Sequence, residues 1–319
     1  NIALTNGSQS AFFMLFNMFA GPFDDGSRKQ VLLPMTPEYI GYADSGLASR
    51  FFLSRRPSIE MLDEHRFKYH VDFDNLNIGE NIGVICVSRP TNPTGNVLTD
   101  NELSALIDLA RQHDLPLIVD GAYGLPFPHL IFTEATPVWD DHLVLCLSLS
   151  KLGLPALRTG IVVAEPAVIK ALATINAILN LTPGSAGAVL TRKLIANREI
   201  LRISRQVVRP FYERKAKRAF ALLSQALEGF PYALHEPEGA MFLWLWLRDF
   251  PISSKELYQR LKARGVVVVS GHYFFPGLDD DWEHIHQCLR ITYSQDDESV
   301  ERGLKLIADE VRMVYTSPY

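Results

Sequence analysis

The sequence predicts an α/β protein: a mostly parallel sheet covered by helices on both faces, followed by a smaller α+β unit. Three observations lead there. Short apolar runs alternate with helix-periodic segments through about the first half of the chain. After Ala164 the texture changes to long helical stretches, and from Ala240 short strands and helices return. At 319 residues, 47% of them hydrophobic, the chain can fill two cores.

Each element has its local reason. Ile2-Ala3-Leu4 enters a strand almost at once, and Asn6-Gly7-Ser8-Gln9 then turns into an apolar, helix-length run over 11–20. Strands are predicted at 31–33, 51–53, 84–87, 116–119, 143–149 and 160–164, each an apolar run bounded by turn residues. Thr99 and Glu102 form a capping box that starts a helix running toward His113. Helices are expected over 167–180 and 199–227, the second linking two domains. Beyond it come a strand at 241–247, a helix at 254–264, strands at 266–269 and 288–293, and a last helix from Asp297. The division that follows is 1–198 for the large domain, 199–228 for an interdomain helix and 229–319 for a small α+β domain.

Composition removes several function classes. A net charge of −5 and a pI near 6.0 give no reason to expect a polyanion partner. The basic stretch 192–218 also holds Glu199 and Glu213, so it reads as a solvated helix rather than a nucleic-acid face. Cys86, Cys146 and Cys288 are few and odd in number, as for buried reduced thiols. No apolar run approaches a membrane span and no leader is visible, which points to the cytoplasm. His284, His286 and Cys288 alternate, so on a strand they would share a face with Arg290 and imitate a metal site. No fourth ligand stands at sensible spacing, and no metal is expected.

The chemistry concentrates elsewhere. Ser148-Leu149-Ser150-Lys151 closes an apolar strand, with Arg158 seven positions on. A partly desolvated lysine there can form a Schiff base with an aldehyde, while hydroxyls and arginine hold a phosphate; a solvated surface lysine is the plainer alternative. Gly7, Ser8 and Gln9 open a helix whose free N–H groups suit an anion, or merely cap a core helix. Asn92, in Arg89-Pro90-Thr91-Asn92-Pro93-Thr94-Gly95, lies in a stiff loop at a strand's C-terminal end, where open α/β sheets bind ligands. Asp120 ends another strand, and Tyr123 follows it. A buried carboxylate needs a partner, either a protonated ring nitrogen or a simple turn cap. Tyr39, in Pro37-Glu38-Tyr39-Ile40-Gly41-Tyr42, suits stacking on a flat heterocycle, or ordinary packing. Arg290 alternates with Leu289 and Ile291 and can grip a carboxylate in bidentate fashion.

Taken together, these residues resemble the fold type I pyridoxal-phosphate enzymes of the aminotransferase superfamily, over the whole chain. The strings at 5–13, 37–44, 148–155 and 271–277 are similar in particular to a branch acting on small aliphatic amino acids. The resemblance implies a seven-stranded large-domain sheet, pyridoxal 5′-phosphate as cofactor, and a homodimer with shared sites. It implies amino transfer between valine or alanine and pyruvate or 2-oxoisovalerate. Lys151 would be the covalent lysine and proton carrier, and Asp120 would pair with the ring nitrogen. Tyr123 and Asn92 would bond the phenolic oxygen, Tyr39 would stack, and Ser8, Gln9, Ser148 and Arg158 would hold phosphate, with Ser150 a weaker candidate. Arg290 would fix the substrate carboxylate, with Asn92 beside it.

Three positions depart from the commonest pattern. Gly121-Ala122 replaces an acidic or amide residue, Arg158 comes one residue early, and Ala156 stands where glycine is usual. Residues that close the site from the N-terminal side would precede Asn1. Two other functions fit the same resemblance: a β-eliminating carbon–sulfur lyase, and the ligand-sensing module of a transcription regulator.

Overall fold

The computed structural model describes residues 1–316. Strand β1 (Ile2–Asn6) leads into helix α1 (Ser8–Phe19), then β2 (Gly21–Pro22), β3 (Arg28–Leu33) and β4 (Phe52–Ser54). A hairpin, β5 (Ser58–Met61) and β6 (Arg66–His70), precedes β7 (Ile82–Ser88), α2 (Asp100–Gln112), β8 (Leu117–Asp120), β9 (Leu143–Ser148) and β10 (Thr159–Val163). Helices α3 (Pro166–Asn180), α4 (Ala186–Ala196), α5 (Glu199–Ile203) and α6 (Arg209–Ala226) follow. The chain ends with β11 (Tyr232–His235), β12 (Phe242–Leu247), α7 (Ser254–Ala263), β13 (Val269–Ser270), β14 (Cys288–Thr292) and α8 (Asp297–Thr316). Among the described residues no helix is long and apolar enough to cross a membrane.

The first sheet runs β1-β10-β9-β8-β7-β3, with β4 beside β3 and the two-residue β2 as an eighth strand. Pairing is parallel from β9 through β8, β7 and β3 to β4, and β10 is antiparallel to both its neighbours. Period-two alternation buries both faces. Val84 and Cys86 of β7 pack under α1 with Phe12 and Phe16, while Ile85 and Val87 face a second core with Leu103 and Leu106 of α2.

The second sheet runs β13-β14-β12-β11-β6-β5. Its Leu243, Leu245, Leu289 and Ile291 face α6, α7 and α8. Its opposite face places Trp244 in the core that already holds Ile85 and Val87, together with Phe67 and Tyr69 of β6. The two sheets therefore share one apolar layer.

The structure differs from expectation where local signals were weak. β5 and β6, from the first half of the chain, join the second sheet through a parallel pairing of β6 with β11, so residues 229–319 do not build it alone. The strand at 266–269 shrinks to Val269–Ser270. The helix at 199–227 contains a π-helical stretch, Ser204–Val208, just before Pro210, whose ring nitrogen has no hydrogen to donate to the preceding turn. Residues Glu283–His286 form a 3-10 turn, which ends the supposed alternation of His284, His286 and Cys288. His284 packs between Trp246 and Trp282 and touches Tyr69 and Cys288, whereas His286 stacks near His272.

The capping box forms as predicted, with Glu102 bonded to the Thr99 backbone and hydroxyl. The same carboxylate accepts from the Val71 backbone and meets His70 Nδ1 at 3.1 Å, while His70 Nε2 lies 2.8 Å from Glu60. Helix α2 is thereby tied to the β5–β6 hairpin. The Glu102 hydrogen bond raises the His70 imidazole above its ordinary value, against partial burial, which lowers it. Burial pushes the Glu102 carboxyl up, but bonds from His70, Thr99 and Val71 outweigh it and bring the group to about 2. A raised histidine contributes stability in full below its unfolded value and loses it as pH rises through the folded one. We expect His70→Gln to lower the unfolding free energy by about 1 kcal/mol near pH 6 and by less near pH 8.5. Urea titrations at the two pH values measure the difference.

Candidate active site

Three parallel strands end together and set polar residues side by side. Ser88, Asp120 and Ser148 are the last residues of β7, β8 and β9, and Ser88 stands opposite Asp120 in register. The C-terminal edge of an open α/β sheet is where such groups meet a ligand. A cleft of about 450 Å3 opens there, lined by Ser8, Gln9, Tyr39, Asn92, Asp120, Tyr123, Ser148, Ser150, Lys151, Arg158 and Arg290.

Asp120 is buried at the floor. Its Oδ1 accepts from the Ala122 backbone at 2.8 Å and its Oδ2 from the Tyr42 hydroxyl at 2.8 Å. Burial lifts this carboxyl to about 6; the bonds from Ala122 and Tyr42 and the nearby Lys151 charge restrain it. Beneath lies a second carboxyl, Glu38, fully buried, with Oε1 accepting from the Ser88 N–H at 2.8 Å and Oε2 lying 2.5 Å from Ser88 Oγ. Tyr42 and Ser88 oxygens are 3.3 Å apart and link the two carboxyls.

At one end of the cleft, Gly7 adopts φ +86° and α1 begins with no side-chain cap, leaving first-turn N–H groups free for an anion. A Cβ at Gly7 would lie 2.3 Å from Arg158 Nη2, so only glycine lets the guanidinium reach this turn. Arg158 itself sits at φ 43°, a left-handed conformation that turns its side chain back across the loop. The Gln9 amide nitrogen donates to the Gly41 carbonyl at 2.7 Å, so this side chain secures the Tyr39–Tyr42 turn and leaves its backbone N–H to the site. Ser150 N–H donates to Ser148 Oγ at 3.1 Å.

Lys151 lies on a 3-10 turn after β9, held by Leu149, which is wholly buried. Its ammonium makes no hydrogen bond or ion pair with any described residue and lies 5.2 Å from the centre of the Tyr123 ring. Burial lowers its pKa, Arg290 and Arg158 add to the lowering, and Asp120 opposes it. Burial pushes the Tyr123 phenol well up. Tyr39 packs edge-on to Tyr42 and its ring covers the Gly41 backbone.

At the other end, Arg290 leaves the apolar face of β14 exactly opposite to Leu289 and Ile291. Its guanidinium lies 4.5 Å from the Phe242 ring and 5.2 Å from that of Phe274, and Nη1 donates to Asn92 Oδ1 at 2.9 Å. The Asn92 loop is fixed from behind by Lys68, which pairs with Glu238 and bonds Asn96 and Val97, both carboxyl and amine nearly buried. Removing one partner of such a pair costs about 3–5 kcal/mol.

Every site residue named from the sequence lies in or against this cleft, Gly7 through its contact with Arg158. Glu38, Tyr42, Ser88 and Phe242 were not assigned. Tyr42 and Glu38 lie in the aromatic string around Tyr39, and Ser88 occupies the same strand-end position as Asp120 and Ser148. That shared position is a signal; the burial of Glu38 has none.

Two guanidinium groups, Arg158 and Arg290, and a helix N-terminus thus surround one buried carboxylate and an amine with no hydrogen-bond or ion-pair partner among the described residues. That donor set fits a planar, phosphorylated aldehyde with a basic ring nitrogen. The model for aminotransferase class I and II matches residues 53–307. The valine–pyruvate aminotransferase of Escherichia coli (strain K12) is 54% identical over the whole chain, which spans 76% of that protein. The crystal structure of valine–pyruvate aminotransferase from Salmonella typhimurium LT2 is 52% identical, with a TM-score of 0.94 over the whole chain and 80% of its own. At 20% identity, a multiple substrate aminotransferase from Thermococcus profundus shares the fold alone, at a TM-score of 0.81 over 99% of this chain and 76% of its own. The chain belongs to the class I and II aminotransferases, enzymes dependent on pyridoxal 5′-phosphate.

Proposed function

We propose that the chain moves an amino group between a small aliphatic amino acid, valine or alanine, and pyruvate or 2-oxoisovalerate. The observation that carries this reading is the unpaired, partly buried amine of Lys151 standing between Asp120 and the two arginines. The whole-chain likeness to valine–pyruvate aminotransferases supports the substrate class.

When bound, pyridoxal 5′-phosphate supplies an aldehyde that joins reversibly to amines and a ring that accepts an electron pair. Arg158, the Ser148 hydroxyl and the N–H groups of Ser8 and Gln9 hold its phosphate, with Ser150 alongside and Gly7 giving Arg158 room. Asp120 would accept from the ring nitrogen and keep it protonated. Tyr39 would stack against the ring, and Asn92 and Tyr123 would offer hydrogen bonds to its phenolic oxygen. Arg290 grips the substrate carboxylate, held in aim by Asn92 and by the Phe242 ring. Lys151 Nζ, whose pKa burial lowers, would carry the proton from the substrate α-carbon to the carbon of the cofactor's aldehyde group, the shift that amino transfer needs.

Homodimerisation belongs to the same proposal. Ile178, Leu181, Val189 and Leu190 of α3, its C-cap and α4 are more than half exposed beside an apolar groove that includes Leu4, Ile161 and Ile195. A second copy would cover them. Sedimentation velocity is expected to give a mass near twice the monomer's.

Two substitutions test the chemistry. Lys151→Ala should abolish borohydride trapping of the cofactor, read by mass spectrometry; trapping at another lysine would overturn the assignment. Arg290→Ala should raise KM for amino acids by about two orders of magnitude, or about 3 kcal/mol, with cofactor retained. A panel of amino donors against pyruvate and 2-oxoisovalerate, followed by cofactor absorbance, reads the substrate class. Pyruvate and ammonia released without an oxo acid would indicate a lyase instead.

A further inference from the structure

The cleft floor holds two carboxyls, and only one faces the cofactor space. Glu38 is fully buried and forms no ion pair among the described residues. The titratable groups that act on it or feel it are Asp120, Tyr42 and the buried Cys86 thiol, none of them a cation.

Counting protons decides between two arrangements. Were Glu38 ionised, the Ser88 hydroxyl would give its one proton to Glu38 and Tyr42 would give its one proton to Asp120. The 3.3 Å contact between Ser88 Oγ and Tyr42 would then carry no hydrogen, and two negative charges would share one buried pocket. With a proton on Oε2, Glu38 donates to Ser88, Ser88 to Tyr42, and Tyr42 to Asp120. Each hydroxyl contact then carries one hydrogen, Oε1 still accepts from the Ser88 N–H, and the protonated Oε2 keeps a lone pair for the Tyr39 N–H at 3.3 Å.

We propose that Glu38 is a positioning residue, carried as a neutral acid, which orients a chain of hydroxyl donors through Ser88 and Tyr42 onto Asp120 so that Asp120 alone bears the negative charge. The inference deepens the reading above, since it rests on Asp120 being the group that meets the cofactor. Burial supports the same division: it lifts Glu38 to about 8 despite the bonds from Ser88, and Asp120 only to about 6. Between those values one proton stays on the inner carboxyl.

The test uses the full chain with and without pyridoxal 5′-phosphate. Infrared difference spectra of wild type against Glu38→Gln at neutral pH should show a protonated-carboxyl carbonyl band belonging to Glu38. A raised carboxyl stabilises the fold in full below its unfolded value and loses that contribution as pH rises through its folded one. The melting temperature of cofactor-free wild type should therefore fall relative to Glu38→Gln between about pH 5 and pH 8 and level off above that. Glutamine donates and accepts in the same places, so it should hold cofactor within about threefold of wild type, whereas Glu38→Leu should weaken it about tenfold or more. Absence of the carboxyl band, a melting difference that does not change with pH, or a Glu38→Gln variant as weak in cofactor binding as Glu38→Leu would overturn the proposal. Should Glu38→Leu not fold, the comparison of wild type with Glu38→Gln decides by itself. The spectra and melting curves of the cofactor-free chain need no substrate, so they answer for Glu38 whatever the amino-donor panel gives.

Discussion

The site depends on a carboxylate kept at the end of a buried strand without a cation directly bonded to it. Asp120 closes β8, an apolar strand buried on both faces, and burial alone would favour its neutral form. The fold opposes this with directed dipoles: the Ala122 N–H on one oxygen and the Tyr42 hydroxyl on the other. Tyr42 in turn is held in a cage of rings, edge-on to Phe12, Phe16 and Tyr39. The aromatic packing under α1 thus fixes the donor that keeps Asp120 charged, and core and chemistry are one construction here.

Around that anion the remaining charge is positive and largely unpaired. Among the described residues Lys151 has only the face of the Tyr123 ring, and Arg290 only the Asn92 amide and two ring faces. An arrangement left open to anions at both ends and to an aldehyde in the middle is stable on its own because its surroundings are tied elsewhere. Lys68 and Glu238 brace the Asn92 loop, and Gln9 braces the turn that carries Tyr39. These bracing bonds satisfy buried polar groups while leaving the reactive ones free.

The parts of this that were legible in the sequence are those governed by local rules. Strand-end positions of Asp120 and Ser148 follow from apolar runs that stop, the start of α2 from its capping box, and the direction of Arg290 from alternation with Leu289 and Ile291. What escaped depends on long-range pairing. β5 and β6 contain Lys68 and His70 and do not read as a buried hairpin, because their pattern makes sense only beside β11. Glu38 looks like any loop glutamate until Phe274 and Ser88 enclose it from distant segments. His284 and His286 suggested a strand face shared with Cys288, yet a 3-10 turn takes both histidines off the strand that begins at Cys288 and sends His284 into an aromatic cluster.

The same hairpin explains how one cleft comes to be built from two sheets. Trp244 and Arg290 are register partners on β12 and β14, and both leave the face that packs toward the first sheet. Trp244 anchors this face in the shared apolar layer through Tyr69 of β6, to whose hydroxyl its indole donates at 3.0 Å. Arg290, one strand over, is thereby carried to the mouth of the cleft, where its bond to Asn92 spans the two sheets. A carboxylate placed on that guanidinium would bind at the seam between them. Recognition of the substrate and cohesion of the two sheets therefore draw on the same few side chains, and a change at Trp244 or Tyr69 would reach the chemistry through the position of Arg290.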